Sequence, residues 1–214
     1  SIDAPAEFFD ANTLGTQNML EAARLGTVKH FFFSSSYVVH GAHAQSPLKE
    51  NDDVDTPMSM YAGSKREAEL LCHTYASAYN LPVTVFRFFT AFGSWGRPDS
   101  KPMRIAKAIA EGEPLTLLNN GHLVRDFTYV DDIVDGMMMA LTMPPSSVHK
   151  VPYALYNIGR SKPIPLLSFI QAIENAMGKP AIIETDVASP LTKGESVEMY
   201  ADTGKLEAEL AYSP

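Results

Sequence analysis

Apolar residues at Phe8, Phe9, Leu14, Met19, Leu20 and Ala23 recur with a helical period, which predicts a helix over 6–25 that Gly26 ends. His30-Phe31-Phe32-Phe33 is a short unbroken run, as in a strand buried on both faces. A polar loop follows, with Pro47, Asn51, Asp52, Asp53, Asp55 and Pro57. Ser59 is then placed to cap a helix over 60–79, and 81–89 reads as a second buried strand. Helix, buried strand, helix, buried strand is the rhythm of a parallel sheet with helices on its faces, so the fold class is α/β. Beyond Gly93 the rhythm loosens. The pattern there predicts helices over 103–111, 131–141, 165–177 and 203–210, the third closed by Gly178. Short strands are predicted over 115–118, 125–129, 156–158 and 181–184. Two Asp in the first turn of the helix over 131–141 suit the helix dipole.

Composition narrows the class. A chain of 214 residues, 45% hydrophobic and 20% charged, can bury a real core. Its formal charge of -8 argues against a nucleic-acid partner, which calls for clustered Lys and Arg. The one cysteine, Cys72, cannot form an intramolecular disulfide, which points to a reducing, cytoplasmic setting. It falls in a helical pattern and reads as a small buried residue rather than a nucleophile. No apolar run approaches the ~18 residues that cross a bilayer, so no membrane partner is expected. Ser1-Ile2-Asp3-Ala4-Pro5 has neither a basic flank nor a long apolar stretch, so it does not read as a signal peptide. With no initiator Met, the chain is expected to be a processed or excised piece.

Three spaced signals carry the chemistry: Ser34-Ser35-Ser36, then Tyr61-Ala62-Gly63-Ser64-Lys65, then Arg87-Phe88-Phe89-Thr90 running on to Trp95-Gly96-Arg97. Tyr61 and Lys65 stand four apart, which puts them on one helix face. A phenol with its ordinary pKa of ~10 is a poor base at neutral pH, but a nearby ammonium stabilises the phenolate. Such a tyrosine can take a proton from a substrate hydroxyl. A serine hydroxyl where strand gives way to loop can orient the same oxygen, and Ser36 is the best placed of the three. Tyr-x-x-x-Lys alone is more often a surface helix pair, and Ser-Ser-Ser alone a polar turn. The ordered set of strand, serine run, loop, Tyr-x-x-x-Lys helix and strand is much more specific. His40-x-x-His43 has no second ligand pair, so no metal is expected, and Met137-Met138-Met139 reads as core. No Gly-x-Gly-x-x-Gly occurs anywhere.

These motifs resemble the extended short-chain dehydrogenase/reductase superfamily, in its branch of NAD-dependent sugar-nucleotide epimerases and dehydratases. The matching stretches are residues 12–23, Ser34-Ser35-Ser36-Tyr37-Val38-Val39-His40-Gly41, Tyr61-Ala62-Gly63-Ser64-Lys65 and residues 125–133. Residues 87–99, Arg-Phe-Phe-Thr-Ala-Phe-Gly-Ser-Trp-Gly-Arg-Pro-Asp, look most like UDP-glucuronate 4-epimerases. The resemblance implies the C-terminal part of a Rossmann-type parallel sheet with a smaller α/β substrate-binding domain. The N-terminal strands and their glycine-rich loop are then absent from this chain. It implies a partial dinucleotide-binding domain over 1–92 and 124–143, and a substrate-binding domain over 93–123 and 144–214.

The resemblance further implies NAD-dependent 4-epimerisation of UDP-glucuronate by Tyr-assisted hydride transfer through a 4-keto intermediate. Ser36, Tyr61 and Lys65 would be catalytic. Asn12, Ser34, Tyr61, Lys65 and the Phe88 backbone would meet NAD. Ser36, Thr90, Arg97, Arg125 and Glu195 would meet the UDP-sugar, with Thr90 and Arg97 on the uronate carboxylate and Arg125 on the diphosphate. A homodimer is implied through helices 6–25 and 60–79. Dehydratases of this branch carry Asp-Glu directly after the catalytic hydroxyl residue, and decarboxylases a Glu two residues after it. Here Tyr37 and Val38 stand there, and neither can act as a carboxyl acid, so both reactions are disfavoured beside 4-epimerisation of UDP-glucuronate or UDP-glucose. A non-catalytic remnant, or completion by a second polypeptide, are the remaining alternatives.

Overall fold

A computed structural model describes residues 4–41, 45–146, 151–184 and 196–212. The N-terminal helical run is one continuous rod in three parts: α1 (Pro5–Phe9), a π-helical segment (Asp10–Leu14) and α2 (Gly15–Leu25). The long helix α3 (Met60–Tyr79) begins as its sequence predicts, with the Ser59 side chain accepting from the Ala62 N–H at 3.1 Å. It ends at Asn80 in the left-handed conformation.

Strands β1 (Phe31–Ser36), β2 (Val83–Phe88) and β7 (Tyr153–Ile158) form a parallel sheet in the order β1-β2-β7. Period-two alternation sorts its side chains. Phe33, Val83 and Val85 pack with Leu20 and Ala23 of α2 and with Ala68, Cys72 and Ala76 of α3. Phe86, Tyr156 and Ile158 face the other way, onto α5 (Val130–Leu141) and α7 (Gly204–Leu210) through Ile133, Ala140, Leu206 and Leu210. Each fully buried aliphatic or aromatic side chain in these layers contributes about 1.5–3 kcal/mol. Burial also pushes the Cys72 thiol up to about 12, so it stays protonated and inert, as its place in the helical pattern implies. Residues 153–158, which the resemblance groups with the substrate-binding part, hydrogen-bond to β2 as the third strand of this sheet.

The second layer of structure is built from short pieces. β3 (Thr90–Phe92) pairs with β6 (Phe127–Tyr129), and β4 (Pro114–Thr116) with β9 (Ile182–Glu184). β5 (Val124–Arg125) lies between β8 (Ile164–Pro165) and β10 (Glu198–Met199). The predicted strand over 125–129 is thus two strands, split at Asp126. α4 (Lys101–Glu111) and α6 (Leu166–Met177) cover these pieces through Ile105, Ile109, Leu123, Phe127, Phe169 and Ile170. Phe127 and Phe169 stack with ring centroids 3.8 Å apart.

Asp126 breaks the strand because its carboxylate is the tie point of this region. Fully buried, it accepts from the backbone N–H groups of Arg160, Ser161 and Ala201 and from the Thr128 hydroxyl. Its own carbonyl accepts from the Thr90 N–H, which fixes the start of β3. A Cβ on Gly159 would sit 2.8 Å from Asp126 Oδ2 and 3.1 Å from the Ala201 Cβ. The carboxylate is pinned and cannot give way. Gly159→Ala is therefore expected to destabilise the fold by about 1–3 kcal/mol, an overpacking cost read as a lower denaturation midpoint with unchanged slope.

Candidate active site

The serine run, Lys65 and the start of the third signal, Arg87-Phe88, meet at the C-terminal ends of β1 and β2, where parallel sheets bind ligands. Ser36 is the register partner of Phe88. Its hydroxyl caps the short 3-10 turn Tyr37–His40 by accepting from the Val38 N–H at 3.5 Å. Tyr37 leaves that turn to stack on Phe89, centroids 5.2 Å apart. Tyr61 opens α3, half-buried, with the Phe8 ring edge-on at 6.0 Å. One turn on, Lys65 sends its ammonium to the Ser34 carbonyl at 3.0 Å, over the Phe33 ring at 5.1 Å and 6.0 Å from the Tyr61 ring centre. Burial draws the Lys65 pKa down.

Asn12 lies on the π-helical segment, a form of turn frequent at functional sites. It donates to the Ser64 hydroxyl at 3.0 Å, and that hydroxyl donates to the Tyr61 carbonyl, so Asn12 is tied to the first turn of α3. The structure therefore brings together Asn12, Ser34, Ser36, Tyr61, Lys65 and Phe88. Thr90 follows at the start of β3. Arg97 lies on the exposed loop after Gly93, next to the fully exposed Trp95, and its described ion pair is with Asp99 at 3.2 Å. Arg125 is buried in β5, where its guanidinium donates to the Val124 and Val197 carbonyls. Glu195 and His43 lie outside the described residues.

A residue set to which the motifs gave no role lies directly beneath the site. Alternation along β1 turns Ser35 to the side opposite Ser34 and Ser36, and its hydroxyl donates to Glu69 of α3 at 2.6 Å. Glu69 also accepts two parallel bonds from Arg87 of β2, both 2.9 Å, and one from Arg66 at 3.2 Å. Burial would push the Glu69 carboxyl up. The bonds and charge of Arg87, with Ser35 and Arg66, outweigh that and hold it below its ordinary value. Arg87 reaches on to the Glu50 carbonyl at 3.2 Å and to His40 Nε2 at 3.4 Å. Burial and the Arg87 charge bring His40 down to about 4, so it is neutral at physiological pH. An arginine can only donate, so Nε2 accepts and the proton of the neutral ring is on Nδ1. One charged residue inside an otherwise uncharged, mostly apolar strand was the available signal, since such a charge needs a partner.

An apolar groove of about 680 Å³ lies elsewhere, between α4 and α6, with Arg160 and Ser168 its main polar groups. None of the proton-handling residues lines it.

Comparison with known proteins places the chain in a family. The model of a family described as NAD dependent epimerase/dehydratase matches residues 1–159. Protein CapI of Staphylococcus aureus is 37% identical across the whole of this chain, which covers 67% of that protein. A probable UDP-glucuronate 4-epimerase of Rhizobium meliloti is 35% identical, again across the whole chain and over 66% of the relative. A solved UDP-glucuronic acid 4-epimerase from Bacillus cereus, in complex with UDP-glucuronic acid and NAD, matches with a TM-score of 0.82 at 32% identity. That match covers 95% of this chain and 62% of the solved one. The chain thus spans about two thirds of the length of these proteins.

Proposed function

Because the chain belongs to the NAD dependent epimerase/dehydratase family, we propose that, joined to a glycine-rich phosphate-binding segment, it inverts C4 of a UDP-sugar, converting UDP-glucuronate to UDP-galacturonate. The observation that carries this reading is the Lys65 ammonium, anchored on the Ser34 carbonyl at the end of β1 beside the Tyr61 ring. Tyr61 takes the proton of the sugar 4-hydroxyl as general base. Ser36 orients the same oxygen. When the new configuration forms at C4, the Tyr61 phenol returns the proton.

NAD supplies the oxidation of C4 and its reduction on the other face. The residues present fit one part of that cofactor. Among the described residues the Lys65 ammonium makes one hydrogen bond, which leaves two donors for the paired hydroxyls of a ribose. Lys65, Tyr61, Asn12, Ser34 and the Phe88 backbone would hold it.

A ketone at C4 beside a carboxylate on C5 is a β-keto acid, prone to lose carbon dioxide. Thr90 and Arg97 would hold that carboxylate with its breaking bond out of line with the carbonyl π system. Arg125 and Glu195 would bind the nucleotide end. Tyr37, stacked on Phe89, and Val38 bring no carboxyl acid to C5 or C6, which favours epimerisation over dehydration or decarboxylation. A homodimer fits the apolar groups exposed on α2 and α3, among them Met19, Leu25, Leu70 and Tyr79.

The direct test is to supply NAD and UDP-glucuronate to the full-length protein and follow UDP-galacturonate by chromatography. No interconversion would sink the reading. Arg97→Ala is expected to raise KM for UDP-glucuronate about tenfold, the scale of one charged hydrogen bond, and to leave UDP-glucose affinity unchanged. Equal losses for the two sugars would remove Arg97 from the carboxylate site.

A further inference from the structure

Resting on the 4-epimerase reading, we infer that the buried Glu69–Arg87 pair, with Ser35, is the positioning device that sets Ser36 against Tyr61 and Lys65. Ser36, Tyr61, Lys65 and Phe88 stand on three elements, β1, α3 and β2, and one ion pair with Ser35 meets all three. α3 contributes Glu69, one turn after Lys65 and two turns after Tyr61. β1 is joined through Ser35, which lies between Ser34 and Ser36. β2 contributes Arg87, the register partner of Ser35 and the residue before Phe88. The turn that Ser36 caps is joined through His40, and the loop behind it through the Glu50 carbonyl.

Energetics point the same way. Both side chains are almost fully buried, Arg87 at 1% exposure and Glu69 at 0%. Exchanging such a pair for apolar residues of similar size is often neutral or favourable for stability, so stability alone does not account for it. Its geometry does something apolar packing cannot. Two parallel bonds between guanidinium and carboxylate fix the separation and rotation of α3 on β2. The short Ser35 bond then sets β1 against the same carboxylate oxygen that receives Arg87 Nε. Hydrophobic contacts between helix and sheet fix neither to the few tenths of an ångström that proton transfer demands.

Neither Glu69 nor Arg87 is assigned to touch the reacting atoms, so their replacement separates positioning from chemistry. In the full-length protein, the doubly apolar Glu69→Met/Arg87→Met variant is expected to fold, with native far-UV circular dichroism and a cooperative melt. UDP-glucuronate should bind within about threefold of wild type while kcat falls about 100-fold, the penalty for about 1 Å of misplacement. Its crystal structure should show the Lys65 Nζ to Ser34 carbonyl contact lengthened from 3.0 Å. Ser35→Ala cuts only the β1 link and guards against a double variant that does not fold. It should lower kcat about three- to tenfold with KM unchanged. Wild-type kcat in either folded variant overturns the inference. If the wild-type protein itself does not interconvert the two sugars, the functional reading fails on its own. Positioning is then decided by the crystal structure, where an unaltered Lys65–Ser34 contact overturns it and a lengthened one upholds it.

Discussion

Tyr61→Phe in the full-length protein is expected to cut kcat by about a thousandfold and to leave UDP-sugar affinity within about threefold of wild type. General acid–base catalysis by one placed side chain contributes roughly 10²–10⁴-fold, and the phenol oxygen is the only atom removed. Everything that places the ring survives the change. The edge-on contact with Phe8 uses carbon atoms. The Asn12–Ser64 link ends on the Tyr61 carbonyl, which any residue supplies. Lys65 keeps its anchor on the Ser34 carbonyl. A loss of kcat with KM preserved is the signature of an interaction made in the transition state. Retained turnover would show that another group carries the proton, and loss of binding in parallel would show that Tyr61 is a binding residue only.

The site was legible in the sequence where local spacing fixes geometry. Tyr61 and Lys65 share a helix face whatever surrounds them, and Ser59 and Gly178 cap their helices by rules that act within one turn. The π-helical turn around Asn12 was not legible. It is a local register change inside a run whose apolar period is continuous, and its partner Ser64 lies 52 residues away. β3, β8 and β10 were not separated from their flanks, because two or three residues carry no period of their own. Asp126 was part of a matched motif, but its role depends on backbone donors from residues 160, 161 and 201, which only the folded chain brings together. The Glu69–Arg87 pair falls between these cases. Arg87 announces a buried charge, yet Glu69 shares its helix with Glu67, and only the packing of α3 on β2 selects it.

That same pair gives the largest expected effect on stability. Arg87→Met alone should destabilise the protein by about 3 kcal/mol at pH 7, against a range of about 3–5 kcal/mol for breaking a buried ion pair from one side. The low end applies because Arg66 keeps one contact on Glu69 Oε2 and Ser35 keeps another on Oε1. For a chain of this length that corresponds to a melting point lower by roughly 6–12 °C. The deficit should depend on pH, with a definite sign. In the wild type the Glu69 pKa lies below its ordinary value. Its contribution is complete above the unfolded carboxyl pKa and is lost as pH falls through the folded one. Without Arg87, burial dominates and the folded pKa lies above the unfolded one. Protonation then relieves the buried charge, so the variant gains relative stability as pH falls through that raised value. The gap between variant and wild type should be widest at pH 7–8 and narrow toward pH 4–5, measured by urea denaturation across that range. Adding Glu69→Met to Arg87→Met should restore most of the lost stability at pH 7 without restoring turnover. A gap that stays constant with pH would mean that Arg87 acts through packing alone.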